Sequence, residues 1–220
     1  MHEAISRLLS ISSEAVGDSL GDGKECRAYL NRWGRLGREL ADLLHRRNGF
    51  YAYESSLLVR PFRRATAPLG IVEWNAPDLW KGTYRENLEA VLCFAEDIFG
   101  CQFCICGETV CAFDPETGEI DKLGESLTCW ARTIVDDFEY RTGFPLAHSW
   151  QMQNGPVPQG MRLVPKLLFV LGGAYDVQNL YALEDVKGML FRSSIANQIS
   201  ELPDGAEIVL EVVNKQRTEE

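Results

Sequence analysis

The sequence has no long apolar run, and none of its stretches approaches the roughly 18 to 20 residues that a membrane-spanning helix needs. Its start, Met1-His2-Glu3-Ala4, lacks the basic and apolar regions of a signal peptide. Its seven cysteines are odd in number, and four of them are crowded between Cys101 and Cys111, unlike a secreted disulfide framework. We therefore predict a cytoplasmic protein with reduced cysteines and no membrane partner.

Histidine is scarce, and the short motifs of catalysis are missing. The three histidines are His2, His45 and His148, and none adjoins a nucleophile motif such as G-x-S-x-G. Neither of the glycine-rich phosphate-binding motifs occurs. Asp136 and Asp137 would point in different directions on one helix, which is poor geometry for an acid–base pair. We predict that the protein is not an enzyme, although a site assembled from distant residues, for example around His148, stays open.

Two segments resemble metal sites only superficially. Cys101-x-x-Cys104-x-Cys106 falls in a predicted hairpin, where alternation puts Cys101 on one face and the other two thiols on the opposite face. Residues 114–125 have the length of a calcium loop, but the glycine comes one place early and Asp121 occupies the position of an aliphatic residue. We expect buried thiols and a solvent-exposed acidic turn at Asp114–Gly118, with no metal and no cofactor.

Basic residues are almost absent from the middle of the chain. The formal net charge is −10, and residues 86–139 contain 13 acidic residues against two basic ones. Such a segment would repel phosphates, so we expect no nucleic-acid partner. It is either a solvated acidic face or a docking surface for a basic protein. The candidate partner-binding residues are Glu96, Asp114, Glu116, Glu119, Asp136, Asp137 and Glu139.

The hydrophobic pattern predicts an α+β protein with a single twisted, largely antiparallel sheet and packed helices. Residues 1–220 are predicted to form one domain, with a helical N-terminal extension over 1–48 and an α+β body over 49–215. Within this body we predict two strands joined by Gly107-Glu108, an extended loop over 143–161 and helices over 86–99, 126–140 and 184–202. Further strands are predicted over 166–171 and 207–213.

Several motifs occur in an order that resembles the SUKH superfamily, which includes the Smi–Knr regulators of yeast wall synthesis. The run at 94–103 reads FAEDIFGCQF, and it is followed by a helix containing Trp130. The other motifs that carry the resemblance are Phe113-Asp114-Pro115-Glu116-Thr117-Gly118-Glu119, Gly172-Gly173-Ala174-Tyr175, Asn179-Leu180-Tyr181 and Leu202-Pro203-Asp204-Gly205. They cover residues 85–215, and the first 48 residues match least well.

The resemblance implies an α+β fold and, in bacteria, an immunity protein that binds and neutralises a toxin, often a nuclease. The acidic middle segment agrees with this, because nucleases that grip phosphates are basic. The alternative implied by the family is a regulatory or scaffolding module with no toxin partner. The motif residues Phe94, Phe99, Phe103 and Trp130 are expected in the core, and Asp97 could cap or pair locally as easily as contact a ligand. The oligomeric state stays open.

Overall fold

A computed structural model describes residues 3–201, and its main element is a six-stranded sheet. The strands lie in the order of the sequence, and every neighbouring pair is antiparallel. They are β1 (Phe50–Ala52), β2 (Leu57–Val59), β3 (Val91–Asp97), β4 (Gln102–Cys106), β5 (Thr109–Phe113) and β6 (Ile120–Gly124).

The described part of the chain also contains a second, two-stranded antiparallel sheet and eight α-helices. The small sheet consists of β7 (Met161–Pro165) and β8 (Leu180–Glu184). The helices are α1 (Glu3–Ser10), α2 (Lys24–Leu30), α3 (Gly34–Arg46), α4 (Ile71–Trp74), α5 (Leu127–Asp136), α6 (Phe138–Thr142), α7 (Phe144–Asn154) and α8 (Asp185–Ile199). None of them is long and apolar enough to cross a membrane.

The six-stranded sheet is covered on both faces, except at the edge strand β6, most of whose residues are exposed. On one face, Phe94 of β3 and Phe103 of β4 contact the ring of Trp130 edge-on, with centroid separations of 5.1 and 5.8 Å. Leucines of α1 and α3 belong to the same core, so these N-terminal helices cover this face. On the other face, Trp74, Trp80 and Phe113 pack with Met189 of α8. A third cluster lies between α7 and the small sheet.

The α+β class, the antiparallel sheet and the packed N-terminal helices are confirmed. The hairpin is also confirmed, since β4 and β5 are joined by Gly107-Glu108 with a positive φ of 60° at Gly107. The helix over 184–202 corresponds to α8, and the helix over 126–140 is divided into α5 and α6 at Asp137. The strand expected over 207–213 lies outside the described residues.

Three predicted elements are wrong. The helix over 86–99 is the strand β3, all of whose residues are buried, so the alternation that marks a half-exposed strand is missing there. Helix α7 lies within the predicted loop over 143–161, beginning with Phe144-Pro145, where proline suits the first turn. The strand predicted over 166–171 lies instead at Met161–Pro165, and a 3-10 turn follows at Phe169–Leu171.

Candidate functional site

The structure divides the seven predicted acidic residues into two groups. Glu119, Asp136, Asp137 and Glu139 are exposed, as expected of a docking surface, and Asp114 is half-buried. Glu96 and Glu116 are only 1% and 5% exposed. The prediction that these two carboxylates contact a partner directly is therefore wrong.

Glu96 is buried because two arginines neutralise it. One carboxylate oxygen lies 2.9 Å from Arg60 Nη2, and the other accepts a hydrogen bond of 2.7 Å from Arg162 Nε. Arg60 also contacts Asp185 at 3.0 Å, and Arg60, Arg162 and Asp185 are each at most 5% exposed. Burial would raise the pKa of Glu96, but the two guanidinium groups outweigh it and lower this pKa to about 2. Two positive and two negative charges thus balance inside the protein.

Gln102 and Trp74 extend this buried ion network. The Gln102 side-chain amide donates to Glu96 at 2.9 Å, while its oxygen accepts the Trp74 indole N–H at 2.8 Å. The Arg60 guanidinium lies 3.5 Å above the centre of the Trp74 ring. Because Arg60 follows β2, Glu96 lies in β3, Arg162 lies in β7 and Asp185 begins α8, the network joins the two sheets to a helix. Its role is structural.

Asp97 occupies a different environment from its neighbour Glu96. Its Oδ1 accepts hydrogen bonds from the backbone N–H groups of Phe99 at 2.8 Å and Cys101 at 2.9 Å. This local pairing is one of the two alternatives that the sequence left open for Asp97. Burial dominates over these bonds and raises the pKa of Asp97 to about 7. The carboxyl therefore shapes the turn at Phe99-Gly100-Cys101 and titrates near neutral pH.

The predicted exposed turn at Asp114–Gly118 is largely covered by another segment. Glu116 Oε2 accepts a hydrogen bond of 3.0 Å from the backbone N–H of Val170, which anchors the 3-10 turn at Phe169–Leu171. Pro115 and Gly118 are buried as well. The Tyr84 hydroxyl donates to the Pro115 carbonyl oxygen at 2.9 Å, and the Glu86 carboxylate lies against Gly118. The expectation that this turn projects into solvent is therefore wrong.

On top of this segment lies a group of exposed aromatic and apolar side chains. Tyr175 is 71% exposed and stacks flat on Phe169 at a centroid separation of 4.0 Å. Phe169 in turn contacts the ring of Phe99 edge-on at 5.4 Å. Val170 is 37% exposed and Tyr140 is 77% exposed. We call these five residues, Phe99, Tyr140, Phe169, Val170 and Tyr175, the aromatic surface.

Two observations relate Tyr140 to the other members of the aromatic surface. Burial raises the pKa of Tyr175, and Glu116, Cys101, Asp114 and Tyr140 lie close enough to add to the effect. Gly143, at the junction of α6 and α7, packs so tightly on Phe99 that an added Cβ would lie 2.4 Å from the ring. Helix α6, which carries Tyr140, is thereby held against the turn that carries Phe99.

Three of the exposed acidic residues lie within four positions of Tyr140 in the sequence. Glu139 precedes Tyr140 in α6, and Asp136 and Asp137 lie at the junction of α5 and α6. Asp137 makes a half-exposed contact of 3.5 Å with Arg141, which leaves an excess of negative charge here. The sequence predicted that these carboxylates are exposed, but Tyr140 and Tyr175 were not among the predicted partner-binding residues. The Gly172-Gly173-Ala174-Tyr175 motif was the available signal for the second tyrosine.

Two further candidates for chemistry do not form a catalytic arrangement. His148 Nδ1 lies 2.8 Å from Glu54 Oε2, but both side chains are about half exposed and the pair lies on the surface. A groove of 720 Å³ is lined by Tyr29, Trp33, Lys81 and other mixed polar and apolar side chains. Among residues 3–201, no group of three or more histidines, cysteines or carboxylates is arranged to hold a metal ion.

No known protein-family model and no curated protein matches this chain. A similar solved structure is the crystal structure of Atu4351 from Agrobacterium tumefaciens, which is 14% identical in sequence. The similarity covers 88% of each chain with a TM-score of 0.62. At this identity the comparison shows a shared fold, and it extends over nearly the whole length of both proteins.

Proposed function

We propose that this chain is a non-catalytic, cytoplasmic protein that binds a basic protein partner through the aromatic surface, and that the partner is a toxin, in particular a nuclease, which it neutralises. The observation that carries the proposal is Tyr175, which is 71% exposed and stacks flat on Phe169. Exposed tyrosines are enriched where proteins bind one another, because a tyrosine offers a large contact area at a small entropic cost.

The charge around the aromatic surface supports a basic partner. Asp136, Asp137 and Glu139 are exposed in or next to α6, the helix that carries Tyr140, and the half-buried Asp114 lies near Tyr175. Complementary charge steers the approach of two proteins, while the apolar contact at the centre supplies most of the affinity. A nuclease that binds phosphates would present the required positive charge.

The resemblance to the SUKH superfamily supports the toxin as partner. Two of the motifs that carry the resemblance, Phe99-Gly100-Cys101 and Gly172-Gly173-Ala174-Tyr175, meet at the aromatic surface. The alternative within the same family, a regulatory module without a toxin, would use this surface on a harmless partner. The two functions therefore differ in the partner rather than in the site.

The product of the gene adjacent to the one for this chain provides the test. Expressed alone in a bacterial host, it should arrest growth, and co-expression of this chain should restore growth. The Tyr140→Ala/Tyr175→Ala double variant should bind the toxin at least about tenfold more weakly and lose the protection. Ile11→Ala, which removes an exposed side chain beyond α1, serves as the control and should protect fully.

The outcomes separate the alternatives. Unchanged binding by the double variant would show that the aromatic surface is not the contact. A bound partner that is harmless in the absence of this chain would replace the immunity function with the regulatory one.

A further inference from the structure

Two buried thiols face each other across the centre of the six-stranded sheet. Cys93 of β3 and Cys104 of β4 are directly opposite in the antiparallel register. Their sulfur atoms are 3.3 Å apart, and the two residues are 1% and 0% exposed. Cys111 of β5 lies opposite Cys104, so this face of the sheet carries further thiols beside the pair.

The pairing of Cys93 with Cys104, next to a register shift between Cys93 and Ala95, is compatible with the geometry that a disulfide requires. Opposite residues in an antiparallel pair have Cα atoms about 4.5 to 5.5 Å apart, which lies within the range of about 4.4 to 6.8 Å found for disulfides. The sulfur atoms need to approach by little more than 1 Å to reach the bond length of about 2.05 Å. Side-chain rotation can supply such a movement without a change in strand register.

The surroundings favour Cys93 as the more reactive thiol. Burial would raise the pKa of Cys93, but the hydrogen bond from Cys104 and the nearby cations of Lys81 and Arg60 outweigh it, so its pKa is lowered. The pKa of Cys104 is raised, mainly by burial. Lys81 is held in place because its ammonium group donates to the carbonyl oxygens of Leu88 and Val91. A thiolate at Cys93 is the nucleophile that oxidation requires.

We propose that Cys93 and Cys104 form a peroxide-reactive dithiol that closes to a cross-strand disulfide. The sulfur of Cys93 attacks one oxygen of hydrogen peroxide, the O–O bond breaks, and a sulfenic acid and one water are formed. The sulfur of Cys104 then attacks the sulfenic sulfur, and the second oxygen leaves as water. Two thiols are oxidised and one peroxide is reduced to two waters. This modification site is independent of the proposed partner-binding function.

Peptide mapping of the full chain tests the proposal. The reduced protein is treated with hydrogen peroxide while folded, and the remaining thiols are alkylated after unfolding. No Lys or Arg lies between Arg85 and Lys122, so cleavage after glutamate is needed. Cleavage after Glu96 and Glu108 separates Cys93 from the fragment with Cys104 and from Cys111. We expect a linked pair of fragments joined through Cys93 and Cys104, which dithiothreitol separates.

Cysteine variants provide the controls. Cys93→Ser and Cys104→Ser should each lose the linked fragments, whereas Cys26→Ser, which removes another buried thiol, should retain them. Circular dichroism identifies a variant that fails to fold. Because Cys101, Cys104 and Cys106 share the fragment 97–108, tandem mass spectrometry of the wild-type linked pair then locates the bond at Cys104. Cys129 is exposed and reports whether the peroxide has reacted. Oxidation of Cys129 without the Cys93–Cys104 link, or a link through Cys106 or Cys111 instead, would overturn the proposal.

Discussion

At the scale of single residues, Glu96 and Asp97 show how adjacent carboxyls acquire opposite properties. The pKa of Glu96 is lowered to about 2, and that of Asp97 is raised to about 7. Neighbouring residues of a strand point to opposite sides, so Glu96 meets two guanidinium groups while Asp97 receives only backbone N–H groups at its Oδ1. Two direct ion pairs compensate the burial of a carboxylate, whereas two neutral donors do not.

The raised pKa of Asp97 makes stability depend on pH. Between the ordinary value of 3.8 and about 7, the folded state keeps a proton that the unfolded chain releases. The contribution of this group to the free energy of unfolding is therefore full below about pH 4 and falls as the pH rises to about 7, by a few kcal/mol. Asp97→Asn keeps the oxygen that accepts both backbone bonds and removes the titration.

We therefore expect the Asp97→Asn variant to be more stable than the wild type at about pH 8, and to lose part of the pH dependence between about pH 4 and 7. Thermal unfolding across this range measures both effects. Asp136→Asn, at an exposed position, should reproduce the wild-type profile. If Asp97→Asn follows the wild-type profile as well, Asp97 is not the group that titrates.

At the scale of the elements, the buried ion network determines how the two sheets and α8 are joined. Each of its four charges is contributed by a different part of the fold. Arg60 follows β2, Glu96 lies in β3, Arg162 lies in β7 and Asp185 begins α8. A buried ion pair adds little stability compared with an apolar contact, but removing one partner leaves the other charge unpaired. The cost of breaking the network is therefore much larger than the benefit of forming it.

Glu96→Gln tests this point because it preserves the shape of the side chain. The variant leaves Arg60 and Arg162 with an excess buried positive charge, and we expect it to lower the free energy of unfolding by about 3 to 5 kcal/mol. Urea unfolding measures the change. The control, Glu108→Gln in the exposed β4–β5 turn, should change stability by less than about 0.5 kcal/mol. A loss of similar size in both variants would argue against the network.

The same elements show which parts of the fold could be predicted from the sequence. The Gly107-Glu108 turn predicts the β4–β5 hairpin from local sequence alone. The helical spacing of the apolar residues in α5 likewise predicts that Asp136 faces solvent. Strand β3 is buried on both faces, and its apolar residues fit a helix equally well. Glu96 was assigned to the surface because its partners, Arg60 and Arg162, are distant in the sequence and nothing local indicates the pairing.

At the scale of the whole molecule, the acidic residues of the segment over 86–139 divide into some that are buried inside the protein and others that are exposed to solvent. Eight of its 13 acidic residues are exposed, and the others are half-buried or buried. The exposed ones next to the aromatic surface would speed the approach of a basic partner, while distant ones would contribute little beyond the screening length of about 8 to 10 Å.

Charge reversal tests this steering, and the test rests on the proposed function. The Asp136→Lys/Asp137→Lys/Glu139→Lys variant should associate with the partner about tenfold more slowly at low ionic strength, and the difference should shrink as salt is added. Stopped-flow fluorescence measures the rate. The control Asp78→Lys/Glu89→Lys/Glu108→Lys has the same net charge at exposed positions elsewhere and should associate nearly as fast as the wild type. Equal slowing in both variants would indicate net charge rather than a local surface.

The sequential order of the six strands has a consequence for how the chain folds. Four of the five strand pairings join segments that are close in sequence, so they can form early as successive hairpins at a small loop-closure cost. The contact between Arg60 and Asp185 spans 125 residues, so the docking of α8 requires the largest loss of chain entropy. The sheet is therefore expected to form before α8 docks and the buried ion network closes. In such an intermediate, Trp74, Trp80 and Phe113 would be exposed on the face of the sheet that α8 later covers.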